Sequence, residues 1–193
     1  MMFNSHEKKL EKFRAQLMSS RSILCTGNPD NPYTIASGIR KLYPTTTFIH
    51  KSNGWNLTDP TLSDKLKQQF SKHNTFINAS YINAEVQPRL LKLCAESVKF
   101  CDVVNIGSTH EYDGGGLEEY QNSKRHLRES SLALNTFRFK TYHVVLGLIR
   151  NSDKEFDGEP LTIDEICSKI QWLLEEKALN IPLITFDNPK RPW

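Results

Sequence analysis

Tyr120 and Lys124 stand four residues apart in a stretch with helical character, so both occupy one helix face within side-chain reach of each other. A phenol with an ordinary pKa of about 10 is a poor proton donor at neutral pH. A neighbouring ammonium favours the phenolate and brings that proton into a usable range. Such a pair recurs by chance in a lysine-rich chain, so its placement decides its meaning. Ser108 supplies that placement. It follows the apolar run Val103-Val104-Asn105-Ile106 and precedes Tyr120 by twelve residues. A hydroxyl at that point can hydrogen-bond a carbonyl or alcohol while Tyr120 exchanges a proton, or it can cap the following turn.

These side chains need a scaffold, and hydrophobic periodicity outlines one. Strands are predicted at 22 to 26, 46 to 50, 74 to 79, 102 to 106, 142 to 148 and 181 to 186. Helices are predicted over 34 to 43, 60 to 72, 83 to 99, 117 to 135 and 162 to 176, with one more at 5 to 18. Short β-branched strands alternating with helices imply parallel pairing through right-handed crossovers. The fold class is therefore α/β, a three-layer sandwich of Rossmann type with a mostly parallel sheet. Residues 1 to 20 are read as a helical extension and 21 to 193 as a single domain, a size that suits 193 residues. In such sheets ligands gather beyond the carboxyl ends of the strands, where strand order reverses.

Composition narrows the functional classes. Apolar residues make up 38% and charged residues 24%, with a net charge of +3 from interspersed signs, so no concentrated basic footprint for nucleic acid is present. No apolar run is long enough to cross a bilayer, and the amino terminus lacks a secretory leader, which points to the cytoplasm. Cys25, Cys94, Cys101 and Cys167 form no CxxC pair and are read as reduced, buried thiols. With no His-Glu-x-x-His motif and no carboxylate cluster, no metal is expected.

With these residues in place, the stretch from about 21 to 187 resembles the short-chain dehydrogenase/reductase family. Ile23-Leu24-Cys25-Thr26-Gly27 is similar to its opening strand and Thr-Gly. Ile77-Asn78-Ala79-Ser80 approximates its Asn-Asn-Ala-Gly region, and Val103 to Ser108 its strand to the catalytic serine. Tyr120-Gln121-Asn122-Ser123-Lys124 matches its Tyr-x-x-Ser-Lys form, and 161 to 166 with 172 to 174 resemble its late helix. The resemblance implies hydride transfer between NAD(P) and a carbonyl/alcohol pair. Tyr120 would be the general acid or base, Lys124 would tune it and hold the nicotinamide ribose, and Ser108 would orient the carbonyl. The fourth catalytic member would be Asn83, which reads equally as a helix N-cap.

For the cofactor, the resemblance implies contacts from Thr26, Gly27, Asn28, Asn31, Tyr33, Lys51, Ser52, Asn56, Leu57, Asn78, Ala79, Tyr120, Lys124 and Gly147. The phosphate loop departs from the family, because Asn31 and Tyr33 stand at its later glycine positions and Pro29 and Pro32 lack N–H donors. Asn31 is expected to take the left-handed backbone a glycine would. Lys51 and Ser52, with no carboxylate beside them, favour NADP over NAD. Leu146-Gly147 replaces Pro-Gly, and Arg150 to Asp153 stand where a lid would begin. Gly114 to Gly116 suit either a gating loop or a spacer. His110 reads as a pocket residue or a solvated one. Family likeness also implies a homo-oligomer, dimer or tetramer, paired through 83 to 99 and 117 to 135. The alternative is a non-catalytic dinucleotide-binding or scaffold protein that keeps the fold.

Overall fold

A computed structural model describes residues 21–113, 117–149, 160–175 and 181–187. The helix expected at 5 to 18, the triple glycine and the segment from Arg150 to Asp153 lie outside the described residues.

Among the described residues six parallel strands form one sheet: β1 (Ile23–Thr26), β2 (Thr47–Ile49), β3 (Thr75–Asn78), β4 (Cys101–Ile106), β5 (Phe139–Leu146) and β6 (Leu183–Phe186). Their spatial order is β2-β1-β3-β4-β5-β6. Every pairing is parallel, as crossover connections require. The chain leaves β1 to one side for β2 and returns to the other side for β3, so strand order reverses between β1 and β3. A crevice opens there above the strand ends.

The helices are α1 (Ile35–Leu42), α2 (Ser63–Phe70), α3 (Val86–Ser97), α4 (His110–Asp113), α5 (Glu118–Leu134) and α6 (Ile163–Glu175). The expected helix at 60 to 72 is a 3-10 turn, Pro60–Leu62, followed by α2. Pro60 and the Asp59 carboxylate, which accepts from the Thr61 N–H at 2.8 Å, fix that entry. Strand β5 begins at Phe139, three residues before the expected start, because it pairs with β4 from Cys101 onward. Helix α4 occupies part of what the sequence reads as loop.

Alternation along the strands divides the core in two. Cys25, Ile77, Val104, Val144 and Leu146 face α1 and α6 together with Ile39, Ile166 and Ile170. Leu24, Phe76 and Val103 face α2, α3 and α5 together with Phe70, Leu90, Leu91 and Leu127. Helices thus cover both faces, giving the three-layer α/β sandwich that the periodicity implies. All four cysteines are free and buried. Burial pushes the Cys25 and Cys94 thiols well up, and pushes Cys167 up to about 12.

The second face carries an unusual row. Asn78 of β3, Asn105 of β4 and His143 of β5 are register partners, side by side near the strand ends, and all are wholly buried. Buried amides must find hydrogen bonds. Asn78 Nδ2 donates to Asn105 Oδ1 at 3.0 Å and to the Gln87 carbonyl at 2.9 Å, and Asn105 Nδ2 donates to Ser131 Oγ at 3.2 Å. Gln87 connects this row to Lys124, whose ammonium donates to its side-chain carbonyl.

Candidate active site

A cleft of about 490 Å³ lies over the carboxyl ends of β1, β3, β4 and β5, within the size range of small-molecule sites. One wall is the β1–α1 turn. Gly27 sits at φ +124°, a backbone conformation that side chains avoid. A Cβ there would stand 3.0 Å from Ala36 Cβ and 3.1 Å from Ser80 Oγ, so the turn packs closely against both neighbours. Thr26 clasps the two sides of the crevice, its Oγ1 accepting the N–H of Ala79 at 2.8 Å and of Ser80 at 2.9 Å. Thr34 caps α1, its hydroxyl accepting the Ser37 N–H at 3.2 Å.

The other wall holds the reactive groups. Ser108 follows β4, buried at 8% exposure, with Thr109 and His110 beside it in the lining. Tyr120 and Lys124, one turn apart on α5, line the same cleft. Ser108, Tyr120 and Lys124 are therefore brought together. Lys124 is 2% exposed and lies under two aromatic rings, its Nζ 5.4 Å from the Tyr120 centroid and 5.5 Å from that of Tyr81. The two rings meet edge to face at 4.7 Å. The ammonium donates to Gln87 Oε1 and to the Ile106 carbonyl, both at 2.7 Å. An ammonium has three N–H groups, so one remains for the cleft. Burial lowers the Lys124 pKa to about 7, against an opposing pull from the Glu111 carboxylate.

Placement of the expected cofactor residues is mixed. Thr26, Gly27, Asn28, Tyr33, Ala79, Tyr120, Lys124 and Gly147 line the cleft. Asn31, Lys51, Ser52, Asn56, Leu57 and Asn78 do not. Asn31 departs from expectation, since no described non-glycine residue has positive φ. Its Oδ1 instead accepts the Tyr33 N–H at 3.0 Å, which gives the loop its turn without a left-handed residue. Leu57 is a core residue, packed with Leu24 and Phe76. Asn56 Oδ1 accepts the Thr58 hydroxyl at 2.8 Å, while Lys51 and Ser52 form an exposed turn after β2. Asn78 belongs to the buried row.

Asn83 also lies off the cleft. Its Oδ1 accepts the N–H groups of Glu85 and Val86, both at 3.1 Å, a side-chain turn that leads into α3, whose own N-cap residue is Glu85. The side chain of α3 that reaches Lys124 is Gln87, one turn later. Gln87, Tyr81 and Glu111 carry no motif, so nothing in their local sequence marks them. His110 does face the site, its ring 6.2 Å from that of Tyr120.

Among the described residues no cluster of metal-ligating side chains exists, and no helix is long and apolar enough to cross a membrane. No protein-family model matches the sequence, and no curated protein sequence does. Similarity lies in structure. A short-chain dehydrogenase from Sphingobium yanoikuyae in complex with NADPH superposes with a TM-score of 0.67 at 14% identity, over 90% of this chain and 89% of that one. An apo SCOR enzyme from Clostridium thermocellum gives 0.66 at 15% identity, over 87% and 91%. A bulky-bulky ketone specific alcohol dehydrogenase from Comamonas testosteroni gives 0.64 at 15%, over 84% and 86%. The chain has the Rossmann-like α/β fold of the short-chain dehydrogenase/reductase structures.

Proposed function

We propose that the protein is an NAD(P)-dependent oxidoreductase of the short-chain dehydrogenase/reductase type, acting on a carbonyl/alcohol pair. The observation that carries this reading is the convergence of Ser108, Tyr120 and Lys124 on one cleft at the strand-order reversal.

The cleft suits a dinucleotide. The close-packed Gly27 turn brings backbone rather than side chain to the start of α1, where helix amides favour phosphate. Pro29 and Pro32 leave fewer N–H donors in that loop, and Tyr33 narrows it. Structural neighbours from Sphingobium yanoikuyae and Burkholderia cenocepacia are described as complexes with NADPH and NADP. Together with exposed Lys51 and Ser52 after β2, this favours NADP over NAD.

A bound nicotinamide supplies or accepts the hydride. In the reducing direction Tyr120 donates its hydroxyl proton to the carbonyl oxygen, and Ser108 holds that oxygen by a hydrogen bond. Lys124 favours negative charge on the phenol oxygen and offers its remaining N–H to the ribose. Asn83 is not assigned a proton-relay role, because its carboxamide oxygen is engaged by two N–H groups in the turn ahead of α3.

The test is thermal stability with each cofactor. At a hundredfold excess over Kd, binding adds about 2.7 kcal/mol of stability, and NADPH is expected to raise Tm more than NADH. If neither moves Tm, the reading fails. Cofactor binding without turnover of any aldehyde, ketone or alcohol in a broad panel would instead favour a dinucleotide-binding scaffold.

A further inference from the structure

We propose that Gln87 is a positioning residue for this site: its side-chain carbonyl holds the Lys124 ammonium in place beneath the Tyr120 ring. The proposal rests on the oxidoreductase reading for its purpose, and on hydrogen bonds independent of that reading for its substance.

Gln87 stands in the first turn of α3 and is wholly buried, with no part in the cleft lining. Pro88 follows it at no cost in helix bonds, because first-turn N–H groups have no intrahelical partner. A buried carboxamide needs partners at both ends. Gln87 Nε2 donates to the Asn78 carbonyl at 2.8 Å, and Asn78 Nδ2 donates back to the Gln87 carbonyl at 2.9 Å. This reciprocal pair staples the start of α3 to the end of β3. Nε2 also makes a long contact of 3.5 Å with the Ile106 carbonyl at the end of β4. The other end of the amide, Oε1, accepts from Lys124 Nζ at 2.7 Å.

The amide can face only one way. An ammonium donates and never accepts, so the oxygen must meet Lys124 and the NH₂ must meet the carbonyls. Turned over, the amide would set NH₂ against the ammonium and oxygen against the Asn78 carbonyl. A glutamate would keep the acceptor for Lys124, yet press its second oxygen against the Asn78 and Ile106 carbonyls. Glutamine satisfies both ends, and the end of β3 dictates where its oxygen lies. Lys124 needs such a fixed acceptor, because an ammonium on a flexible four-carbon stem otherwise swings freely. The Ile106 carbonyl, also at 2.7 Å, is a second anchor. Held by both, the ammonium sits 5.4 Å from the Tyr120 ring centroid on its own helix and 5.5 Å from that of Tyr81 after β3. His110 of α4 lies beyond Tyr120; burial lowers the Lys124 pKa and the Glu111 carboxylate of α4 opposes it. Gln87 adds an acceptor to these surroundings without adding a charge.

The experiment follows the Lys124 Cε resonance across pH in the full chain carrying ¹³C-labelled lysine, with K124M identifying the signal. Q87M keeps the length of the side chain and deletes the acceptor. The Lys124 midpoint is then expected to fall by about one pH unit, the scale of one lost hydrogen bond to a charged group. Q87E keeps the acceptor and adds an anion, so the midpoint is expected to rise by about one unit or more. A midpoint unchanged in folded Q87M, or shifts of the same sign in both variants, overturns the proposal. If neither variant folds, the unmutated chain decides with ¹³C-labelled glutamine. The assigned Gln87 Cδ resonance should move through the Lys124 midpoint and stay still in K124M, and a flat Gln87 signal in the unmutated chain overturns the proposal. In the enzyme assay, Q87M should lower kcat about tenfold at nearly unchanged substrate KM, and a raised KM with kcat intact would refute a positioning role. The titration decides Gln87 whether or not cofactor binds, and cofactor binding by the unmutated chain decides the reading beneath it.

Discussion

The Lys124 ammonium and the Gln87 side-chain carbonyl are joined by a 2.7 Å hydrogen bond that ties α5 to α3 beneath the cleft. This bond and the Ile106 carbonyl are what a buried cation receives in place of water. They do not fully offset its burial, since Lys124 still holds its proton less firmly than in an unfolded chain.

That imbalance gives a pH dependence with a definite sign. Burial lowers the Lys124 pKa to about 7 in the folded chain, against 10.5 when free. Between these values the unfolded chain binds more protons, so this group makes stability rise with pH across that window. Urea unfolding at pH 7, 8 and 9 should show the rise, and K124M should lack it. A variant with the same slope as the parent would show that Lys124 is not the group responsible.

Tyr120→Phe removes one oxygen from a half-buried ring and keeps its edge contact with Tyr81. Turnover is expected to drop by about 10² to 10⁴, the usual contribution of general acid–base catalysis. NADPH affinity should change little. Comparable turnover in this variant would remove Tyr120 from the chemistry.

Asn83→Ala deletes the side-chain acceptor of two N–H groups in the turn that leads into α3. A loss of about 0.5 to 2 kcal/mol in stability is expected, with kcat nearly retained. If instead kcat collapsed at unchanged stability, Asn83 would belong to the proton relay after all.

The four cysteines offer a structural check, since all are buried and three have thiols raised by burial. An Ellman-type reagent should label none in the native protein and all four after unfolding. Rapid labelling of Cys25 or Cys167 in native conditions would contradict the packing of the α1–α6 layer.

Much of this was readable along the chain because the signals were local. Helix period places Tyr120 and Lys124 one turn apart, and apolar runs ending in Gly27 or Ser108 mark strand ends without tertiary information. The residues that escaped have roles created by distance in sequence. Gln87 meets Lys124 across 37 positions and His143 meets Glu111 across 32, and no spacing rule foresees either. Asn31 shows the opposite difficulty. Its type suits a left-handed turn, yet its side chain shapes the loop from an ordinary backbone. Asn83 carried two local meanings, and only the position of α3 beside Lys124 separates a turn residue from a cleft residue.

The in-register trio Asn78, Asn105 and His143 also acts on assembly. Neighbouring residues of one strand point to opposite sides of a sheet. Sliding β4 by one position would thrust Asn105 among Val144, Ile166 and the other aliphatic groups beneath α1 and α6, and strand its carboxamide there. Misaligned pairings of the central strands are therefore penalised, so the chain gains its alignment key from buried amides that also anchor Gln87, the partner of Lys124.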